Sequence, residues 1–124
     1  MALTARDLVA AAQQQIRQIA PAQAMLLVGK VLILDVREPA EHAAGCLPGA
    51  INIPRGVLEF KIDSHPVFKN GQETEILVYC LTGGRSALAV EALQKLGYSK
   101  LVSLAGGFQA WREAGGPVVT PAAG

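Results

Sequence analysis

Apolar and polar positions along the chain fall into two kinds of pattern. Short unbroken apolar runs occur at Val31-Leu32-Ile33-Leu34, Ile76-Leu77-Val78-Tyr79 and Leu101-Val102-Ser103-Leu104. A run of four with no polar alternation is the pattern of a strand covered on both faces, so helices are expected above and below it. Between the runs the period changes to that of helices. Thr4 is placed to cap a leading helix over residues 4–19 in which Leu8, Val9, Ala12, Ile16 and Ile19 share one face. Pro21 opens a second short helix that Gly29 closes, and Pro39, with Glu41 in the first turn, opens a third. Residues 57–62 and 65–69 read as two short helices stopped by Asn70-Gly71, and Ile51-Asn52-Ile53 as a short strand before Pro54. Residues 87–96, closed by Gly97, and residues 108–113, followed by Gly115-Gly116-Pro117, complete the helices. Strands alternating with helices at this spacing predict an α/β domain, a mainly parallel central sheet flanked by helices on both faces in three layers.

Length limits this to one domain: 124 residues support a single core. The chain is 51% hydrophobic, 17% charged and 5% aromatic, too apolar for a disordered chain, yet it contains no uninterrupted apolar stretch near the roughly 18 residues of a membrane span. The formal charge of +1 supplies no field for a nucleic-acid backbone, so no nucleic acid and no membrane are expected as partners. Cys46 and Cys80 form no CxxC pair, and His42 and His65 complete no zinc spacing, so no metal is expected. Arg6, Asp7, Gln13-Gln14-Gln15 and Arg17 interrupt the first twenty residues, which do not read as a secretory signal; a reducing, cytoplasmic location is expected.

The chemistry concentrates in one loop. Cys80 ends a buried run, and Leu81-Thr82-Gly83-Gly84-Arg85-Ser86 leads into a helix. Backbone amides at a helix N-terminus lack intrahelical acceptors and can surround an anion. A free cysteine is only a few per cent thiolate at neutral pH, and such amides, together with a nearby cation, favour the charged form. Arg85 supplies the cation, Gly83 and Gly84 allow close backbone approach, and Ser86 is placed to cap the helix. A buried structural cysteine beside a Gly-Gly turn is the plainer alternative, but it does not account for strand end, two glycines, arginine and helix start within seven residues.

With these residues in place the chain resembles a single-domain rhodanese, the sulfurtransferase family. Asp35-Val36-Arg37-Glu38-Pro39 with Glu41 resembles the family's first signature, and Leu47-Pro48-Gly49-Ala50-Ile51-Asn52-Ile53-Pro54 its second. Residues 80–86 fit the active-site pattern Cys-x-x-Gly-x-Arg-Ser, and Leu104-Ala105-Gly106-Gly107-Phe108 with Trp111 resembles the closing motif. The resemblance implies a rhodanese-like domain over residues 19–118, an N-terminal helical extension over 1–18 packed on it, and a frayed tail over 119–124. It also implies a ping-pong reaction without cofactor. Cys80 takes a sulfane sulfur from thiosulfate, a persulfide or a polysulfide and passes it from a persulfide to a thiol or cyanide. The alternative within the resemblance is a sulfur-carrier module that accepts sulfur from a partner protein, with low free turnover.

Arg85 either orients an anionic donor or holds the loop. Asp35 and Arg37 resemble a pair that braces the sheet edge; Arg55, with Glu59 nearby, is placed by resemblance at the active-site mouth. Related phosphatases use Cys-x5-Arg, whereas Cys80 to Arg85 is Cys-x4-Arg, a smaller cradle that suits sulfur better than phosphate. The family often carries a histidine where this chain has Cys46, which reads as a small buried residue or, more sharply, as a thiol that traps the Cys80 persulfide as a disulfide. Trp111 reads as an anchor for the last helix.

Overall fold

The structure, a computed structural model, describes residues 2–121. Five strands, β1 (Gln18–Ile19), β2 (Leu32–Asp35), β3 (Ile51–Asn52), β4 (Ile76–Tyr79) and β5 (Leu101–Leu104), form one sheet in the order β1-β5-β4-β2-β3, every pair parallel. Six helices accompany them: α1 (Ala5–Gln13), α2 (Pro21–Met25), α3 (Pro39–Ala44), α4 (Leu58–Lys61), α5 (Gly84–Lys95) and α6 (Gly107–Glu113).

Alternation along β2 and β4 divides the core in two. Leu34, Ile76, Val78 and Cys80 face the side of α4 and α5, packing with Leu58, Ile62, Ala89, Val90 and Leu93. Ile33, Leu77 and Tyr79 face the other side and pack with Ala24 of α2 and Phe108 and Trp111 of α6. Both faces are covered, which is why β4 is apolar at every position and β2 at every position but its last, Asp35.

Several expectations from the sequence require correction. The leading helix stops at Gln13; Ile19, placed on its apolar face by spacing, instead lies in β1, where the Ser103 amide donates to Arg17 C=O and the Ala105 amide to Ile19 C=O. α1 itself is closed by a reciprocal cap between Thr4 and Asp7 and packs against α5. The second helix ends at Met25, and the left-handed Gly29 lies in the turns that follow. Residues 57–62 begin as a 3₁₀ turn (Arg55–Val57) before α4, and residues 65–69 form turns. The expected tail is tied down at its start: Val119 exchanges both backbone hydrogen bonds with Cys46, at 2.8 and 2.9 Å. Residues 122–124 of that tail lie outside the described residues.

Strand order places the site. From β2 the chain moves outward to β3, returns past β2 to β4, and continues in that direction to β5. The connections that leave the carboxyl ends of the neighbouring strands β2 and β4 therefore run in opposite directions, leaving a crevice between them. Asp35 and Tyr79 are register partners at that edge. Cys80 is the next residue.

Candidate active site

Cys80 is 1% exposed, and its Sγ sits inside the turn that starts α5. Gly83 adopts a left-handed conformation (φ 105°) that serves as the helix N-cap and turns its own amide toward the sulfur at 3.1 Å. The Ser86 amide donates to the same sulfur at 3.3 Å. Ser86 does not cap the helix as the sequence suggested: it is the third helical residue, its hydroxyl donating to Gly83 C=O at 3.3 Å and lying 2.9 Å from Ser103 Oγ and 3.6 Å from Sγ. The positive φ of Gly83 starts the helix earlier than a serine cap would. Gly84 and Arg85, in the first turn, carry amides without intrahelical acceptors, so the loop presents donors at and around the sulfur.

The loop's cation is already paired. Arg85 grips Glu41 of α3 through two hydrogen bonds, 2.8 and 3.1 Å, across the crevice between β4 and β2. The Arg85 hydrogen bond is the main cause that holds the Glu41 carboxyl down to about 2. The pair fixes the start of α5 against α3, and of the two roles open for Arg85 this geometry matches holding the loop. Nothing local in the sequence marks this pair, whose members are 44 residues apart.

Beneath it lies a second network. Asp35 is fully buried and accepts from the Arg37 side chain (2.7 Å, to Oδ2), the Tyr79 hydroxyl (2.9 Å), His42 Nδ1 (2.9 Å) and the Arg37 amide (3.0 Å). Arg37 also donates to Gly45 C=O at 2.7 Å, and Asn52 Nδ2 donates to the carbonyls of Asp35 and Arg37. Burial, then the Asp35 charge, push the Tyr79 hydroxyl far above its ordinary range, so it stays a neutral donor. Tyr79, His42 and Asn52 were not singled out from the sequence. For Asn52 and Tyr79 the available signal was a polar atom at the carboxyl end of a strand, β3 and β4; His42, inside α3, carried none.

Arg55 and Glu59 do not join this assembly. The Arg55 amide donates to Val36 C=O, but its side chain pairs with Glu59 at 2.8 Å. Both side chains line a groove with Leu8, Leu88 and Leu96 that no residue of the cysteine loop lines. Cys46 is free and 2% exposed; burial first, then Asp35, push its thiol up, which opposes the thiolate a trapping role needs. Trp111 is buried and donates from Nε1 to Pro117 C=O. Among the described residues no group of three His, Cys, Asp or Glu is arranged to hold a metal, and no helix is long and apolar enough to cross a membrane.

The first turn of α6 supports the loop from the far side. The Phe108 amide donates to Cys80 C=O at 2.8 Å and the Gln109 amide to Leu81 C=O at 3.0 Å. Gly107, at φ 63°, makes this approach possible: a Cβ there would stand 2.5 Å from Leu81 O and 2.6 Å from Cys80 O.

A family model described as Rhodanese-like domain matches residues 19–114. A sulfurtransferase of Allochromatium vinosum is 34% identical over 91 residues, covering 73% of this chain and 80% of that protein. A human thiosulfate:glutathione sulfurtransferase is 34% identical over 100 residues, covering 73% and 87%. Among solved structures, a Rhodopseudomonas palustris protein of unknown function, described as a possible tyrosine phosphatase, superposes with TM-score 0.87 at 33% identity over 96% of each chain.

Proposed function

The chain belongs to the rhodanese-like domain family, and on that premise we propose that it is a sulfurtransferase that carries a sulfane sulfur on Cys80. The observation that carries this reading is the pair of backbone amides, Gly83 and Ser86, aimed at Sγ at the crevice between β2 and β4. Fixed dipoles that stabilise a thiolate serve equally for the charge of a persulfide, and in a water-excluded turn they need no reorganisation as the charge moves outward.

In the first half-reaction the Cys80 thiolate attacks the outer sulfur of thiosulfate, forming an S–S bond as the bond to the sulfonate sulfur breaks, and sulfite leaves with the electron pair. A persulfide or polysulfide donor reacts alike, releasing a thiolate or a shortened polysulfide. In the second half-reaction a thiolate or cyanide attacks the outer sulfur of the persulfide, and Cys80 departs as the thiolate. No metal or organic cofactor enters either step. We assign the outer sulfur to the free first-turn amides of Gly84 and Arg85, with Leu81 and Thr82 at its approach.

A phosphatase reading is not favoured: Arg85, the cation such a loop would turn to phosphate, is held bidentate by Glu41, and the loop is one residue shorter than Cys-x5-Arg. A second reading, a carrier that loads from a partner protein and turns over slowly with free small molecules, draws support from the 1% exposure of Cys80.

Incubation with thiosulfate followed by intact mass measurement tests the chemistry. A gain of one sulfur, absent in Cys80→Ala, is expected. Failure to take sulfur from thiosulfate, polysulfide or glutathione persulfide would overturn the proposal. Multiple turnover with cyanide or a small thiol separates enzyme from carrier.

A further inference from the structure

Beside the cysteine loop the surface opens into a groove along α6. Leu81, Phe108, Gln109, Arg112 and Glu113 line it. Phe108, Gln109 and Arg112 stand at i, i+1 and i+4, so Phe108 and Arg112 share a helix face, and the groove runs from the residue after Cys80 toward the last turn of α6. Its inner end is fixed, because the Phe108 and Gln109 amides bind the carbonyls of Cys80 and Leu81.

Arg112 is the arginine that lines the groove, and the two arginines nearer Cys80 are committed elsewhere. Arg37 is buried against Asp35 and Gly45 C=O, and Arg85 is held by Glu41. Arg112 forms no ion pair with any described residue. Its guanidinium carbon stands 5.9 Å from the Phe108 ring centre, which positions the charge without neutralising it. Glu113 presents the opposite sign on the same groove.

We infer that this groove is the recognition subsite for a small thiol compound with an amino-acid end, its carboxylate held by Arg112, its ammonium by Glu113, and its sulfur directed to Cys80. The direction of the ligand rests on the sulfur-transfer reading; the charge recognition does not. Thiosulfate lacks an ammonium for Glu113, and Arg112 lies four residues, about 6 Å of helix rise, beyond Phe108. A bare inorganic donor therefore loads Cys80 without using this subsite.

The test uses S-methylglutathione, an unreactive thioether, titrated into the full chain and followed by backbone amide NMR. Shifts at Leu81, Gln109, Arg112 and Glu113 are expected. Loss of one charge-assisted contact in Arg112→Ala weakens binding about tenfold, with partial retention in Arg112→Lys. The doubly esterified ligand should lose affinity similarly, and sulfate should not compete. No binding, binding indifferent to Arg112, or shifts confined to another face would overturn the inference. Sulfur loading is measured separately on the same samples: Arg112-dependent binding without any sulfur transfer by the unmodified chain would overturn the sulfurtransferase reading and leave the subsite standing. Thiosulfate loading intact alongside Arg112-independent binding would overturn the subsite alone.

Discussion

Replacing Asp35 by alanine should unfold a large fraction of this domain's stability, because that carboxylate is the shared acceptor of a buried network. Asp35 is fully buried and Arg37 is 3% exposed, so neither charge is shielded by water. Removing the acid leaves the guanidinium with the Gly45 carbonyl and, at 3.5 Å, the Tyr79 oxygen, and the Tyr79 hydroxyl loses its acceptor while still receiving the Leu47 amide. Breaking a buried ion pair from one side costs about 3–5 kcal/mol, against about 5–15 kcal/mol for a whole domain. At roughly 4 °C per kcal/mol for a chain of this size, the midpoint should fall by about 12–20 °C. Urea unfolding followed by circular dichroism gives the free energy, with Asp35→Asn separating charge from volume. The double variant Asp35→Leu/Arg37→Met removes both charges and should recover most of the loss, since the cost arises from stranding one partner. A loss under about 1 kcal/mol in Asp35→Ala, or a double variant no better than the single, would show that water reaches Arg37 and refute the reasoning.

Glu41 supplies a pH test: Arg85 holds its carboxyl at about 2 instead of the usual 4.5, so its stabilisation is present above pH 4.5 and is lost as pH falls toward 2. Both side chains are about one-third exposed, and screening reduces the full linkage to about 1 kcal/mol. Unfolding free energies near pH 6 and pH 3 should therefore diverge more for the native chain than for Glu41→Gln, and parallel losses would count against the pair. Gly107→Ala and Gly29→Ala both place a side chain at positive φ, but only Gly107 has backbone oxygens at 2.5–2.6 Å, whereas Gly29 has nothing within 4 Å. Gly29→Ala should cost about 1 kcal/mol and Gly107→Ala about 3 kcal/mol or more. Gly107→Ala should also slow sulfur loading of Cys80, because the displaced carbonyls belong to Cys80 and Leu81; thermal unfolding and intact mass measure the two effects, and equal losses in the two variants would refute the close-approach argument.

What could be read from the sequence was whatever is local in the chain. β2 and β4 announce themselves because strands covered on both faces are built on apolar runs, Val31 to Leu34 overlapping β2 and Ile76 to Tyr79 coinciding with β4, and the loop from Cys80 to Ser86 carries its cysteine, glycines and helix start within seven positions. β1 was hidden because two residues, Gln18 and Ile19, make no pattern; their pairing is dictated by amides of Ser103 and Ala105, far along the chain. Ile16 and Ile19 continue a helical period after the helix has ended, so periodicity alone extended α1 too far. Ser86 is a residue type that caps helices, but the left-handed turn at Gly83 moved the helix boundary past it. Arg85 was legible as a cation and Glu41 as a first-turn acid, while their bond follows only from the adjacency of β2 and β4.

That adjacency also decides where the stabilisation of an anionic sulfur comes from. Each of the two arginines nearest the loop is matched by its own carboxylate, Arg85 by Glu41 and Arg37 by Asp35, so the nearby full charges largely cancel. The donors aimed at Sγ are instead main-chain amides, held by Gly83's conformation on one side and by α6 binding the Cys80 and Leu81 carbonyls on the other. A paired arginine positions such dipoles without adding a charge that a departing anionic product would have to leave behind. In the ping-pong cycle proposed above, where the same cradle would accept an anion and release one in each half-reaction, fixed amides of moderate strength would serve turnover better than an unpaired cation. The uncommitted cation, Arg112, stands farther along α6, and in the subsite proposed above it would select the body of a substrate without trapping the sulfur at its reacting end.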